Sequence, residues 1–183
     1  MDRSEAMQLL REHLKNENLI KHCIACEAIM EALAEQLGQD QQIWSLAGLL
    51  HDLDYQKTQA EPSRHGLVGA QMLFDYQLPS EVIKAIQSHN PATGYQAQTT
   101  IEKALLAVDP VSGFIVACAL IHPSRKLKNL DLNFLTNRFK EKSFARGASR
   151  EQIQSCQEIG LSLEEFLEIS LKAMQDRSEE LGL

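Results

Sequence analysis

The 183-residue sequence lacks most of the features that would place it outside ordinary globular proteins. Five prolines and nine glycines are too few for a collagen-like or low-complexity chain. With 44% hydrophobic and 23% charged residues there is enough apolar material for a sizeable core, which excludes disorder. The four cysteines, Cys23, Cys26, Cys118 and Cys156, stand in apolar periodic stretches rather than crowded into loops. A disulfide-stapled secreted scaffold is therefore excluded, and a reduced, cytoplasmic protein is expected. No run approaches the roughly 20 uninterrupted apolar residues that cross a bilayer, and the opening MDRSEAMQLLREHLKNENL is charged throughout, so neither signal peptide nor membrane anchor is expected. Alternating strand patterns and Asn-Gly or Asp-Gly turns are missing. So are a Walker glycine loop, a G-x-S-x-G elbow and an H-E-x-x-H helix, which removes three common catalytic frameworks.

What is present is helix, end to end. Apolar stripes predict helices over about 3–17, 19–37 and 41–53, with Gly38 as a stop signal. The polar segment 54–64, with Pro62, breaks the pattern. HGLVGAQMLFDY then resumes it, with Gly66, Gly69 and Ala70 permitting close packing. Pro79 and Ser80 open a further helix that ends near His89 and Asn90-Pro91. Thr99 with Glu102 reads as a capping box, Pro110 as an interruption straight after Asp109, and VSGFIVACALI as a separate buried helix. Ser149 with Gln152 and Ser162 with Glu165 open the last two helices. The length suits one all-α domain of about eight to ten helices spanning 1–183, without repeats or linkers.

Net charge is −7, an acidic total that gives no strong case for nucleic acid, although residues 125–150 carry eight Lys/Arg against only Asp131 and Glu141. That stretch is read as a solvated helical face. Cys23-x-x-Cys26 lacks the second half of a zinc site and any thioredoxin-like context, so both are expected to be buried small residues. His13 and His122 are expected to be structural.

The other four histidines, His22, His51, His65 and His89, fall beside or within apolar helical stripes, and their common setting calls for a joint explanation. The sharpest local feature is His51-Asp52 at the end of the apolar helix AGLL. Neighbouring helical residues point about 100° apart, so imidazole and carboxylate can both reach one ion off the helix end. An apolar wall makes an unpaired Asp52 costly, and a cation removes that cost. Nitrogen plus carboxylate ligation suits divalent Fe, Mn, Co, Ni or Zn.

The order His22, His51-Asp52, Asp109 resembles the H…HD…D pattern of the HD-domain metal-dependent phosphohydrolase superfamily. RHGLVGAQML, VIKAIQSHN and ALLAVDPVSGFIVACALI resemble segments of its HDIG-type bacterial members. FARGASREQIQSCQEIGLSLEEF resembles the tail of a small uncharacterised bacterial subgroup. The likeness runs over 20–121, leaving 122–183 as a helical extension. It implies that His22, His51, Asp52 and Asp109 bind one metal, that Asp52 bridges, and that His65 and His89 hold a second. One departure is that Leu53-Asp54 follows His51-Asp52, where the HDIG pattern has Ile-Gly.

Two cations about 3.5–4 Å apart can activate a bridging water and neutralise phosphate charge during in-line attack. The resemblance thus implies hydrolysis of a phosphate ester or anhydride, of a nucleotide above all, by a metal-bound hydroxide. The order of segments is also similar to that of bacterial symmetrical dinucleoside-tetraphosphate hydrolases, whose His-Asp-x-x-Lys spacing differs from that of Lys57 here; small 5′-nucleotidases share the fold. Asp54 is a candidate to orient a ligand or protonate a leaving group, or an ordinary surface acid. Lys57 and Arg64 are candidate phosphate clamps, and Arg125, Lys126 and Lys128 candidates for a second phosphate. A homodimer is compatible with the sequence. The rival reading is a non-catalytic regulatory or nucleotide-binding module on the same fold, yet such relatives usually discard metal ligands and all six positions are filled here.

Overall fold

Side chains that compete with the backbone mark where each helix begins. Asp2, Asn16 and Asp40 each accept a backbone N–H at the starts of α1 (Arg3–His13), α2 (Glu17–Gln36) and α3 (Gln41–Leu50). After α3 the chain turns through 51–54 into the single turn α4 (Tyr55–Thr58), then reaches α5 (Leu67–Met72) and α6 (Ser80–Ser88). The longest helix is α7 (Thr100–Ile121). It is followed by α8 (Leu132–Lys140), α9 (Arg150–Gln154), α10 (Leu163–Asp176) and α11 (Ser178–Leu181). The computed structural model describes residues 1–183, all-α as the sequence predicts, with one-turn helices added between the long ones.

Two expectations need correction. Pro110 does not end a helix: α7 runs through it for 22 residues. A proline inside a helix costs about 3 kcal/mol. Ala104, Leu105, Ala107 and Val108 before it and Val111, Phe114 and Ile115 after it are all fully buried, and that packing outweighs the lost hydrogen bond. Thr99 makes no capping bond with its side chain; only Glu102 reaches back, accepting from the Gln98 N–H at 2.8 Å. By length and apolarity α7 would also suffice to cross a bilayer. Here it is the core helix, packed against α2, α6 and α9.

One continuous core joins both ends of the chain: its 48 buried residues run from Ala6 to Leu181. The C-terminal helices therefore pack onto the same core as the first six, and α9 lies against α7. At the chain's start Arg3 grips the buried Glu27 of α2 with two bonds of 2.7 and 2.9 Å and also reaches Glu180. The four cysteines are buried and free. Arg150 donates to the carbonyls of Phe139, Phe144, Ala145 and Ala148, tying down the loop after α8. His122 at the end of α7 bonds Ser124 and sets its ring edge-on to Phe134, a structural role as expected.

The crossing of α2 and α3 sets the position of everything that follows. A Cβ on Gly48 would lie 2.7 Å from the Cys26 carbonyl oxygen and 2.8 Å from the Glu27 nitrogen, so the two backbones touch there. His22 lies one turn before Cys26 and His51 one turn after Gly48. The contact therefore fixes how far apart those two imidazoles stand. In an unconstrained helix Gly→Ala would be stabilising by about 1 kcal/mol. Gly48→Ala is expected to do the reverse, destabilising the protein by about 1–3 kcal/mol through forced separation of the helices. Equilibrium denaturation of the two proteins measures the sign directly.

Candidate metal centre

Six side chains from distant parts of the chain meet at one place. His22 comes from α2, His51 and Asp52 from the end of α3, His65 from the loop before α5, His89 from the end of α6 and Asp109 from the middle of α7. His22 Nε2 stands 3.2 Å from His51 Nε2, 3.2 Å from Asp109 Oδ1 and 3.6 Å from Asp52 Oδ2. His51 Nε2 is 3.4 Å from Asp52 Oδ1. The same Oδ1 lies 3.0 Å from His65 Nε2 and 3.8 Å from His89 Nε2, and the last two nitrogens are 3.0 Å apart. Asp52 thus lies within 3.8 Å of all four imidazoles.

The outer nitrogen of every ring is already engaged. His51 Nδ1 donates to the Gly48 carbonyl at 2.8 Å, His89 Nδ1 to the Ile86 carbonyl at 2.6 Å, and His65 Nδ1 to Asp54 Oδ1 at 2.8 Å. His22 Nδ1 donates to Ser112 Oγ at 2.8 Å, whose own proton goes to the Asp109 carbonyl. With Nδ1 protonated on all four rings, the Nε2 lone pairs face inward and toward one another. Neutral rings set this way repel unless positive charge stands between them. Separations of 3.0–3.4 Å match the edges between ligands held about 2.0–2.1 Å from an ion. The donor set therefore fits divalent metal, as the sequence predicts.

The same demand for positive charge shows in the titration of these groups, protons meeting it at His22 and His65 in place of an ion. Burial alone would raise the Asp52 pKa, but the His51 ring, the contact with His65 and the rings of His22 and His89 hold it well below the ordinary carboxylate range. Asp109 is also lowered against the effect of burial, mainly by His22. Burial, then the neighbouring His51 ring, pushes His89 down to about 4, leaving it neutral and ready to ligate. His65 moves the other way: despite burial, its bonds to Asp52 and Asp54 push it up to about 9. Two helix ends add to the demand for positive charge, since His51 and His89 are the C-terminal cap residues of α3 and α6. Cys26 lies 3.8 Å from His22, but burial pushes its thiol pKa up, so it stays protonated and is a poor ligand.

The other residues singled out in the sequence lie elsewhere. Asp54 is fully buried and spends its carboxylate on three donors: His65 Nδ1 and the backbone N–H groups of Gly66 and Gly69, at 2.7–2.9 Å. It is not a surface acid; it orients His65. Lys57 is exposed with its ammonium 3.7 Å from Met72 Sδ, and Arg64 is exposed and paired with Glu61 at 3.3 Å. Neither lines the cleft. Arg125, Lys126 and Lys128 follow the end of α7, which lies about 18 Å along the axis from Asp109, and they do not line it either. The phosphate clamps expected of these five cations are thus not part of the cleft.

Residues that the sequence gave no reason to select do line it. The cleft over the centre, about 370 Å³, is walled by Leu19, Tyr55, Asn90, Pro91 and Gln152 beside the ligands. Asn90 also bridges to the Pro62 and His65 carbonyls, and Gly66 closes the corner. At φ +91, with a Cβ position 2.6 Å from the Ile86 carbonyl, residue 66 can only be glycine. Asp54→Asn should lower affinity for a divalent metal by about 10–100-fold without unfolding the chain, as read by elemental analysis after dialysis against graded chelator.

Comparison with known proteins follows the same lines. The family model for the HD domain matches residues 19–108. Among curated proteins, Ribonuclease Y of Enterococcus faecalis is 31% identical over 140 residues, covering 74% of this chain and 26% of that protein. Ribonuclease Y 1 of Pediococcus pentosaceus is 28% identical over 141 residues, 74% of this chain and 26% of the relative. Ribonuclease Y of Thermoanaerobacter pseudethanolicus is 30% identical over 138 residues, 74% and 27% respectively. The chain spans about a quarter of the length of these relatives. No solved structure gives a significant match. With the match taking in five of the six ligand residues, all but Asp109, residues 19–108 of this chain form an HD domain.

Proposed function

We propose that the protein is a phosphohydrolase that uses two divalent transition metal ions to cleave a phosphate ester or anhydride of a nucleotide. The observation that carries this reading is the inward convergence of four Nε2 atoms around the Asp52 carboxylate. His22, His51, Asp52 and Asp109 would hold one ion; His65, His89 and the same Asp52 would hold the other. Ions there supply Lewis acidity toward the phosphoryl oxygens and toward the attacking water. The chain's own part is positioning. Ser112 and the Gly48 and Ile86 carbonyls keep three rings turned inward, and Asp54 does so for His65. Gln152 offers a hydrogen bond to a bound phosphoryl group. No serine, threonine, cysteine or lysine lines the cleft, in keeping with direct attack by water.

The relatives' name, Ribonuclease Y, favours a second substrate, RNA, which would be opened by the same P–O chemistry. A screen of nucleotides and short RNA with added Mn²⁺, Co²⁺, Ni²⁺ or Fe²⁺, on protein purified without oxygen, tests both. Hydrolysis should vanish on chelation and return with metal. His51→Ala and Asp52→Ala should each lower it by at least about 10²–10³-fold and remove metal from the purified protein. Undiminished hydrolysis in either variant would overturn the reading.

A further inference from the structure

The cleft over the metal centre opens into a second groove of about 490 Å³, with Tyr55, His65 and Asn90 lining both. Thr58, Gln59 and Pro62 complete its wall. Across the two, no lysine or arginine is exposed to a bound molecule. Cations on adjoining surfaces are engaged or face away: Arg64 pairs with Glu61, Lys57 lies toward Met72, and Lys103 pairs with Glu158. Lys21 lines a separate groove beyond His22, with its ammonium against Gly182.

Positive charge in the cleft is therefore confined to the centre itself. Two divalent ions there would meet the carboxylates of Asp52 and Asp109, with Asp54 behind His65. That leaves an excess of about one to two positive charges, enough for one phosphate dianion. A second or third phosphoryl group would lie along a wall with no cationic side chain. What the groove offers instead is neutral: the exposed Tyr55, its ring set edge-on to His65 with centroids 5.3 Å apart, then Pro62 and the amide of Gln59. That combination suits a flat, uncharged group with hydrogen-bonding edges.

We infer that the substrate is a monophosphate ester of a nucleoside or a similar flat, neutral alcohol, its single phosphoryl group on the metal centre and its organic part in the groove against Tyr55. The inference rests on the phosphohydrolase reading above and narrows it. In the reaction the oxygen of water forms the new bond to phosphorus as the ester P–O bond breaks. One water proton passes to the departing alkoxide, giving the alcohol, and the other stays on inorganic phosphate.

The experiment compares a nucleoside monophosphate, the matching triphosphate, a dinucleoside tetraphosphate and a short single-stranded RNA with the metal-loaded protein. The monophosphate should lead in kcat/KM by at least tenfold. Tyr55→Ala should raise KM for it about tenfold while kcat and metal content stay within twofold, and Tyr55→Phe should restore the wild-type KM. Preference for either polyphosphate, faster cleavage of RNA, or an unchanged KM in Tyr55→Ala would overturn the inference while leaving the phosphohydrolase reading in place. Failure to hydrolyse any of the four would overturn both.

Discussion

A carboxylate buried among imidazoles is the constraint around which this protein is built. Asp52 is almost fully enclosed, and removing an unpaired carboxylate from water is too costly for a domain whose whole stability is of the order of 5–15 kcal/mol. Its neighbours do not relieve the cost as neutral groups, because every ring commits its Nδ1 proton outward. The carbonyl ends of α3 and α6 add negative potential at the same spot. Cation affinity is thus a consequence of where the helices end, and the site is formed by the fold before anything binds.

That arrangement depends on a few close approaches. Gly48 lets α2 touch α3, so that His22 and His51 stand 3.2 Å apart and not a side chain's width further. Gly66 lets the loop carrying His65 press onto the end of α6, which brings His65 against His89. Continuity of α7 through Pro110 matters in the same way. Asp109 and Ser112 are three residues apart on one helical face, so one turn supplies both a ligand for the first position and the hydroxyl that orients His22. A break at Pro110 would have separated them.

Much of this was legible from the residues. Apolar periodicity, caps and glycine stops marked most helices, and His22, His51-Asp52, His65, His89 and Asp109 come together in one cluster. What stayed hidden was direction. Lys57 and Arg64 flank His65 in sequence, but the one-turn helices around them turn both side chains outward. Asp54 looked like an acid beside the centre, whereas burial and three hydrogen bonds make it a brace for the loop. Gln152 is 43 residues beyond Asp109, and only the packing of α9 on α7 brings it to the cleft. Pro110 misled because local propensity is weak against the burial of a whole helix face.

The placing of charge links binding to chemistry. Had the cleft been lined with lysine or arginine, a phosphorylated molecule would bind whether or not metal were present, and binding would be uncoupled from turnover. Here the protein contributes carboxylates at the centre and neutral walls around it, within a chain of net charge −7. With ions bound, the only strong attraction for phosphate would lie at the point where a P–O bond is attacked. Binding strength is then concentrated on the reacting group, where interactions that grow toward the transition state increase rate and not merely occupancy.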